Sequence, residues 1–525
     1  MTDNRYRRLP VGIQSFKVIR EENYLYVDKS DIVWNMVNLG DKYNYLSRPR
    51  RFGKSVLVDT LEAYLEGRKG LFEGLKIMQM EKDWKQYPII RLDMSRGGAN
   101  EETLRSYLNL RFKDYEEKYN ITPDPTAMLA DRFHAIIATA YKQTGLRVAV
   151  LIDEYDSPLQ HSWRTPEHEK CTGVYREVFA ILKADDEYEH FVFITGITKF
   201  TQISLFSVLN NLSNISFTPE YAAICGITEE EIEENFMPEI RQMSEANNWS
   251  VQETHDRLKA YYDGYHFSRR NMVDVYNPYS LVNALKSKEI INFWASSGAT
   301  SLLPKFVDNA ELRMKSFENC RIMRNTLELS DVSGGGAELF LYQSGYLTIK
   351  DSDEFGYILG FPNEEVKQAL YETVLPTLTM RSRSDIQSIQ ANLYAQLGTG
   401  QIDEAMKSLK ALIADVPYSN KKLASMDMEE RYRLIISTIL NAIGLNVEVE
   451  KMISTGRIDM TVKTSRYIYV IELKLRNNGG KEAATEQILN RQHMEPFKAD
   501  KRQVVGLGIE LDEEGKGLLD WKRAE

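Results

Sequence analysis

Four short apolar runs near the start of the chain alternate with segments of helical character, and this alternation limits the fold more than any other feature. The runs are KYNYLS near Tyr43, PIIRLDMS from Pro88, RVAVLIDEYD from Arg147 and HFVFITGIT from His190. Strands that alternate with helices in this way form a parallel sheet covered by helices. The first part of the chain is therefore predicted to be a doubly wound α/β domain.

The chain is too long for one hydrophobic core. At 525 residues, two to four domains are expected. A hydrophobic content of 43% and a charged content of 27% exclude a mostly disordered chain. The net charge of −10 argues against a surface coated in basic residues, although a local patch can still bind nucleic acid. From Lys421 onward there are 18 Lys and Arg against 17 Asp and Glu, so the acidity lies upstream.

The cysteines and the N-terminal residues indicate the cellular compartment of the protein. Cys171, Cys225 and Cys320 are far apart and odd in number, which indicates neither a disulfide framework nor a zinc ribbon. The start, MTDNRYRRLPVGIQSF, lacks the apolar core of a signal peptide. No apolar run approaches the ~20 residues of a membrane span. We expect a cytoplasmic protein without membrane contact.

A phosphate-binding loop is predicted in SRPRRFGKSVLVDTL, directly after the first apolar run. A phosphate needs backbone N–H groups at a helix N-terminus, a lysine, and a hydroxyl group for Mg²⁺. Gly53, Lys54 and Ser55 supply these groups in that order. The full pattern also has a glycine five residues before Gly53, where this chain has Arg48. The tripeptide alone is equally compatible with an ordinary basic helix start.

Three arginines and a phenylalanine lie next to this glycine and are assigned to the nucleotide site with it: Arg48, Arg50, Arg51 and Phe52. The arginines either compensate for the missing glycine or act on the nucleotide of a neighbouring subunit in a homo-oligomer. The pattern does not distinguish these two roles.

The third and fourth apolar runs end in residues that suit nucleotide chemistry. Asp153 would hold Mg²⁺ through water or the loop serine, and Glu154 would orient the attacking water. A strand that merely ends in solvated acids is the alternative. Thr198 ends the fourth run and Lys199 follows it; these two residues either sense the terminal phosphate or face solvent. Loop, acidic strand end and further strand together favour binding of ATP with Mg²⁺.

The stretch GRIDMTVKTSRYIYVIELKL predicts a second site. Side chains of a strand alternate between its two faces. One face carries Tyr467, Tyr469, Ile471 and Leu473, and the other carries Ile468 and Val470. Both faces are apolar, which indicates a covered strand. Glu472 and Lys474 continue the second face, and Asp459 lies in the strand before it.

Two carboxylates and a lysine at one end of a sheet suit metal-assisted phosphodiester hydrolysis. Asp459 and Glu472 would bind Mg²⁺, which favours oxygen ligands. Lys474 would stabilise the charge that develops during hydrolysis. The alternative is a strand end that emerges into water, where the two charges simply pair. Burial of such a pair costs desolvation, which favours a functional explanation.

Two helices add candidates to this site. In MEERYRLIISTILNAIG the apolar stripe contains Tyr432, Ile436, Ile439 and Ile443. Extended backwards it reaches Glu429, a third carboxylate for the metal, and leaves Glu430 off the stripe. In KEAATEQILNRQH, Gln487 lies on a face where it would contact the site or the DNA backbone. An isolated glutamine is more often a surface residue.

The chain resembles a known combination of domains. Residues from about 9 to 280 resemble the AAA-ATPase-like family of prokaryotic proteins through LPVGIQSF, YVDKS, RPRRFGKS, LIDEYDSPL, TGITKFTQISLFSVLNNL and VYNPYSL. Residues from about 425 to 510 are similar to a PD-(D/E)XK nuclease domain through Glu429 with Tyr432, GRIDM, YVIELKL and Gln487. The proline of the family name is replaced by Ile458. In the first family the arginine-rich loop commonly lacks the first glycine.

The resemblance implies an ATPase coupled to a Mg²⁺-dependent DNA endonuclease. We expect the chain to consist of an ATPase domain (1–220), a helical lid (221–290), a mostly helical linker domain (291–424) and a nuclease domain (425–525). A nucleotide-switched regulator that binds DNA or a protein through an inactive nuclease fold is the alternative. A role in defence against mobile DNA rests on analogy alone.

Two local expectations concern the middle of the chain. TEEEIEENFMPEIRQMSEANN is predicted to be a helix with a threonine cap and acids in its first turn. LFLYQSGYLTI and YILGFP carry strand signals within the linker.

Overall fold

The computed structural model describes residues 8–124, 126–199, 211–296, 303, 317–329, 336–379, 383–414 and 427–524. These residues fall into two compact units, one that ends at Asn363 and one that begins at Glu364. Among the described helices, none combines the length and the apolar character that a membrane crossing needs. The domain boundaries at 220, 290 and 424 stay predictions.

A parallel sheet forms the centre of the first unit. Its strands are β1 (Tyr43–Ser47), β2 (Ile89–Asp93), β3 (Val148–Asp153), β4 (Glu189–Gly196) and β5 (Ser213–Asn214). Their order is β2-β3-β4-β1-β5, and every pair is parallel. The four apolar runs are β1 to β4, so the predicted sheet is confirmed. The carboxyl ends of β3, β4 and β1 lie side by side, at the edge where such sheets bind ligands.

Helices surround this sheet and continue through the rest of the first unit. They are α1 (Phe16–Glu21), α2 (Ser30–Asn38), α3 (Lys54–Leu65), α4 (Ile77–Met80), α5 (Glu101–Lys118), α6 (Leu129–Thr144), α7 (Ser157–Ser162), α8 (Glu167–Phe179), α9 (Ile181–Ala184), α10 (Glu229–Asn235), α11 (Met237–Asn247), α12 (Val251–Tyr262), α13 (Pro278–Ser287), α14 (Phe293–Ser296), α15 (Arg324–Leu329) and α16 (Gly336–Ser344). The predicted threonine cap is confirmed, since Thr228 forms a capping box with Glu231. The predicted single helix is broken at Phe236, because Pro238 starts a new first turn in α11.

A small antiparallel sheet also belongs to this unit. Its strands are β6 (Cys320–Met323), β7 (Thr348–Ser352) and β8 (Gly356–Gly360), in the order β6-β8-β7. The strand expected in YILGFP is β8. The first half of LFLYQSGYLTI was wrongly expected to be a strand and lies in α16. That helix is buried on nearly all sides, so its apolar residues show no helical period. Gly345 ends it with a φ of +90°.

The second unit is built on a mixed sheet of five strands. They are β9 (Asn446–Ile453), β10 (Gly456–Lys463), β11 (Tyr467–Leu475), β12 (Gln503–Leu511) and β13 (Leu518–Ala524), in the order β13-β12-β11-β10-β9. Only the pair β11 and β12 is parallel. The helices are α17 (Glu364–Thr379), α18 (Arg383–Thr399), α19 (Ile402–Ala414), α20 (Met428–Ala442) and α21 (Gly480–Asn490).

Strand β11 is covered on both faces, as its apolar pattern predicted. Tyr469, Ile471 and Leu473 pack in one core with side chains of α18, α19 and α20. Ile468 and Val470 pack in a second cluster on the other face. Glu472 continues this second face and is fully buried. The strand therefore carries an acid into the interior of the unit.

Candidate functional sites

The loop between β1 and α3 closes around its own lysine. Gly53 precedes the helix with a φ of +86°, a conformation that favours glycine. The Nζ atom of Lys54 donates to the carbonyl oxygens of Arg48 and Pro49, each at 2.9 Å. Burial lowers the pKa of Lys54, while the nearby acids Glu154, Asp156 and Asp153 oppose this shift. The ammonium group thus lies inside the loop, next to a cluster of acids.

Oxygen donors for a magnesium ion meet at the end of β3. The hydroxyl group of Ser55 hydrogen bonds to the Asp153 carboxylate, and burial raises the pKa of that carboxyl group. The N–H group of Glu154 donates to Asp153 Oδ1 at 2.9 Å. Glu154 has a φ of +47°, unusual for a residue with a side chain. Burial also raises the pKa of Glu154. A hard cation suits this donor set.

Arg48 lies inside the protein. Its guanidinium group donates to the carbonyl oxygens of Ser216 and Tyr221 at 2.9 and 2.8 Å. It also lies 4.1 Å from the ring centre of Phe267. Arg48 is only 1% exposed. These contacts give it a role in joining the loop to its surroundings, in place of the nucleotide contact that the sequence suggested.

A cavity of about 460 Å³ opens beside the loop, a size that suits a small-molecule ligand. Its polar side includes Arg50, Arg51, Gly53, Lys54, Ser55 and Glu154. Its apolar side includes Val11, Ile13, Leu25, Val27, Ile227 and Val282. The guanidinium group of Arg51 lies 4.7 Å from the ring centre of Tyr279, another lining residue. The motifs LPVGIQSF and VYNPYSL supply part of this lining, and only the resemblance pointed to them.

Phe52 borders the cavity, and its side chain packs into the protein. It is 1% exposed, with its ring centre 4.7 Å from that of Tyr265 and 5.4 Å from that of Phe267. Both contacts are edge to face, an arrangement that aromatic pairs favour. The side chain of Phe52 is therefore an anchor for the loop.

Thr198 and Lys199, the two sensor candidates, have partners within the protein. Thr198 donates from its backbone N–H and its hydroxyl group to Asp156 Oδ2, each at 2.6 Å. The ammonium group of Lys199 donates to the Glu328 carbonyl oxygen at 2.9 Å. Asp156, the last residue of the DEYD motif, was not among the predicted site residues. A side chain at Gly196 would clash with its carboxylate.

In the second unit, Asp459 and Glu472 meet across strands β10 and β11. The N–H group of Asp459 donates to Glu472 Oε1 at 3.3 Å. Asp459 Oδ2 accepts from the N–H group of Leu473 at 3.0 Å. Burial and the neighbouring Asp459 raise the pKa of Glu472 to about 9. Two buried acids in contact repel each other when both are ionised, and a divalent cation relieves that repulsion.

Lys474, at the end of β11, forms an ion pair with Glu429 of α20. The Nζ atom of Lys474 lies 3.6 Å from Glu429 Oε2. Glu429 Oε1 accepts from the N–H group of Leu475 and from the Asn478 side chain, both at 3.2 Å. Within the described ranges, no group of three or more His, Cys, Asp or Glu is placed to hold a metal ion. The structure therefore pairs Glu429 with Lys474 and does not bring it to Asp459 and Glu472.

Three further side chains contact the two acids. Gln487 donates to Glu472 Oε2 at 2.7 Å, so this predicted residue does reach the site. Two contacting residues were not predicted. His493 Nδ1 lies 2.8 Å from Glu472 Oε1, and Arg433 Nη1 lies 3.3 Å from Asp459 Oδ1. Arg433 follows Glu429 by four residues, a helical spacing that was available as a signal.

The donor set of the second site fits a magnesium ion in its chemistry. Asp459 and Glu472 offer carboxylate oxygens, and both side chains are nearly or fully buried. Their mutual repulsion gives a divalent cation a reason to bind there. Water and substrate oxygens complete the shell of Mg²⁺ in many sites with only one or two carboxylates. The residues present therefore suit the ion.

Comparisons with known proteins match both units. Residues 10–206 match the family model described as predicted AAA-ATPase. Residues 427–521 match that of the PD-(D/E)XK nuclease superfamily. The chain is also similar to an uncharacterized protein in the vnfD 5′ region of Azotobacter chroococcum mcd 1. The two are 30% identical over 98% of each chain.

Proposed function

Because the chain belongs to the family of predicted AAA-ATPases that carry a PD-(D/E)XK nuclease domain, we propose that it is an ATP-hydrolysing, Mg²⁺-dependent DNA endonuclease. The observation that carries this proposal is the buried pair Asp459 and Glu472. Lys474 follows Glu472 by two residues on β11. The direct test is incubation of the purified protein with plasmid DNA and Mg²⁺, with and without ATP. Intact plasmid under every condition would contradict it.

In the first unit, binding of ATP requires the lysine of the loop to change partners. Lys54 leaves the carbonyl oxygens of its own loop and contacts the phosphates. Ser55 and Asp153 hold the magnesium ion that accompanies the nucleotide, as their hydrogen bond already places both oxygens together. The cavity beside the loop has apolar side chains for the base and ribose. Arg50 and Arg51 border its polar side.

Glu154 orients the attacking water in this proposal. Substitution of Glu154 by glutamine keeps the shape of the side chain but removes the carboxylate that accepts the proton. We expect ATP binding to stay within about threefold of the wild-type value, while hydrolysis slows by about 100-fold or more. Binding is measured by calorimetry and turnover by phosphate release.

A matched control for that variant is Glu187→Gln, on the exposed turn before β4. Its turnover is expected to equal that of the wild type. A Glu154→Gln protein that hydrolyses ATP at the wild-type rate would assign the base to another residue.

In the second unit, Asp459 and Glu472 hold the magnesium ion, and Lys474 stabilises negative charge on the phosphate during cleavage. When bound, the ion would supply Lewis-acid chemistry, which stabilises negative charge on the phosphate and makes a nearby water easier to deprotonate. Gln487 fixes one oxygen of Glu472. Glu429 keeps the ammonium group of Lys474 at the end of the strand. The assignment of DNA as the substrate follows from the match of residues 427–521 to the nuclease superfamily.

One observation favours a second candidate, a nucleotide-switched regulator with an inactive nuclease fold. Arg433 lies against Asp459 and also pairs with Glu450, whose Oε1 is 3.0 Å from its Nη2. A cation already placed beside a metal ligand weakens the case for a bound ion. The plasmid assay separates the two candidates, because the regulator would leave the plasmid uncut.

Nucleotide control of cleavage has a physical route within the first unit. Phe52 of the loop is clamped by Tyr265 and Phe267. His266 lies between these two aromatic residues in the sequence. Its N–H group donates to the Thr348 hydroxyl group at 2.7 Å, and that hydroxyl group donates to the His266 carbonyl oxygen at 3.0 Å. Thr348 begins β7, and the hairpin β7–β8 is followed in sequence by the second unit. A change of loop conformation on ATP binding is thereby passed to the end of the first unit.

Phe52→Leu tests this route, because it removes the edge-to-face contacts while keeping an apolar side chain. Wild-type cleavage is expected to differ at least fivefold between nucleotide-free and ATP-bound protein, in the range of typical coupling. In Phe52→Leu the difference is expected to fall below about twofold, with ATP affinity retained. Cleavage rates are measured without nucleotide, with ADP and with ATP.

The matched control is Phe112→Leu, whose ring stacks on Phe133 between α5 and α6. It is expected to keep the wild-type response to nucleotide. Equal wild-type rates in all three nucleotide states would remove the gating proposal, and an unchanged response in Phe52→Leu would remove this route.

A further inference from the structure

His493 is a wholly buried histidine at the second site that neither the sequence pattern nor the family match assigns. It is 0% exposed, and its Nδ1 lies 2.8 Å from Glu472 Oε1. Gln487 Nε2 donates to the other oxygen, Oε2, at 2.7 Å. The two side chains therefore contact different oxygens of the same carboxylate.

The backbone after α21 is shaped to bring His493 back to the strand. The helix ends at Asn490, and Gln492 takes a φ of +51°, a left-handed conformation that is unusual for a residue other than glycine. The N–H group of His493 then donates to the Ile488 carbonyl oxygen at 3.0 Å. After this turn the imidazole lies against Glu472 of β11. A strained residue beside a buried polar side chain is a recurrent sign of a functional position.

The imidazole has donor capacity available for Glu472. Neither ring nitrogen makes a well-aligned hydrogen bond within the described part of the chain. Burial of a polar ring without such bonds is unfavourable, and an apolar side chain would fill the same space without that penalty. Among the described residues, the closest polar contact of the ring is the one between its Nδ1 and Glu472 Oε1, at 2.8 Å.

We infer that His493 is a positioning residue: its Nδ1–H group and the Gln487 amide hold the two carboxylate oxygens of Glu472 in the orientation that binds a divalent cation. The inference rests on the proposed nuclease function and adds a residue to that site. His493 acts through Glu472 and contacts neither the substrate nor the metal. Groups that orient metal ligands typically change metal affinity by 10- to 100-fold when they are removed.

Three substitutions in the full-length protein separate this role from simple packing. His493→Phe keeps a ring of similar size and removes both nitrogens. His493→Asn places an amide N–H close to the position of Nδ1, and His493→Gln places one close to Nε2. Mn²⁺ affinity is measured by electron paramagnetic resonance without nucleotide, with Asp459→Asn defining the signal of this site. Plasmid cleavage and melting temperature are recorded for the same proteins.

His493→Phe is expected to bind Mn²⁺ at least 10-fold more weakly, and His493→Asn to recover most of the affinity while His493→Gln does not. Wild-type affinity in His493→Phe overturns the inference, and so does equal recovery by asparagine and glutamine. If His493→Phe melts below the assay temperature, the comparison of the asparagine and glutamine proteins decides. A wild-type protein that shows no Asp459-dependent Mn²⁺ binding also overturns it.

The outcomes for the nuclease function are distinct. If the wild type binds Mn²⁺ without cutting DNA and His493→Phe weakens that binding, the nuclease proposal fails and the positioning role stands. If the wild type cuts DNA and His493→Phe binds Mn²⁺ as tightly, only the positioning role fails.

Discussion

Asp459→Asn is expected to lower plasmid cleavage by about 1000-fold or more, because it replaces a charged metal ligand by a neutral amide. The fold is expected to survive, since the amide oxygen can still accept from the Leu473 N–H group that now donates to Asp459. ATP binding belongs to the other unit and should be unchanged. Cleavage is measured by gel assay, ATP binding by calorimetry and stability by thermal melting.

Asp500→Asn is the matched control for this substitution. Asp500 is an exposed acid of the same unit, paired with Arg502 at 2.6 Å. Its cleavage rate is expected to equal that of the wild type. Cleavage that persists in Asp459→Asn would place the activity at another site or in a contaminant.

Lys54→Ala is expected to weaken ATP binding by about 100-fold, or ~2.8 kcal/mol. The substitution removes the cation that meets the phosphates, while the acids around it remain. Glu154, Asp156 and Asp153 then repel the nucleotide without a balancing charge. Calorimetry with ATP and Mg²⁺ gives the affinity, and melting temperature shows whether the loop still supports the first unit.

Lys69→Ala provides the control, because Lys69 is an exposed lysine beyond the end of α3. It should bind ATP like the wild type. Equal ATP affinity of the wild type and Lys54→Ala would show that the loop is not the phosphate site.

The alternation of apolar runs with helical segments predicted β1 to β4, because buried parallel strands are short apolar runs between helices. The alternation of side chains along a strand placed Glu472 and Lys474 on one face of β11, and the structure shows the acid buried and the lysine near the strand end. The pairing of β1 with β4 was not accessible, since the pattern holds no information on which strands are neighbours.

The remaining differences have local causes. The helix Gly336–Ser344 is covered on nearly all sides, so hydrophobicity does not separate its faces. Helical spacing predicted Glu429 on the side of α20 that faces the site. In the structure its carboxylate pairs with Lys474 at the end of β11. His493 reaches Glu472 only through the left-handed backbone at Gln492, which no spacing rule contains.

The contacts of Lys54 bear on the stiffness of the loop before α3. A buried ammonium group without acceptors would destabilise the loop. Here two carbonyl oxygens of the loop, those of Arg48 and Pro49, accept from the Nζ atom of Lys54. The side chain thus links both ends of a stretch of seven residues and restricts the conformations of its backbone. Replacement of Lys54 therefore removes an internal cross-link as well as a charge, and the melting temperature measures the first loss separately from the second.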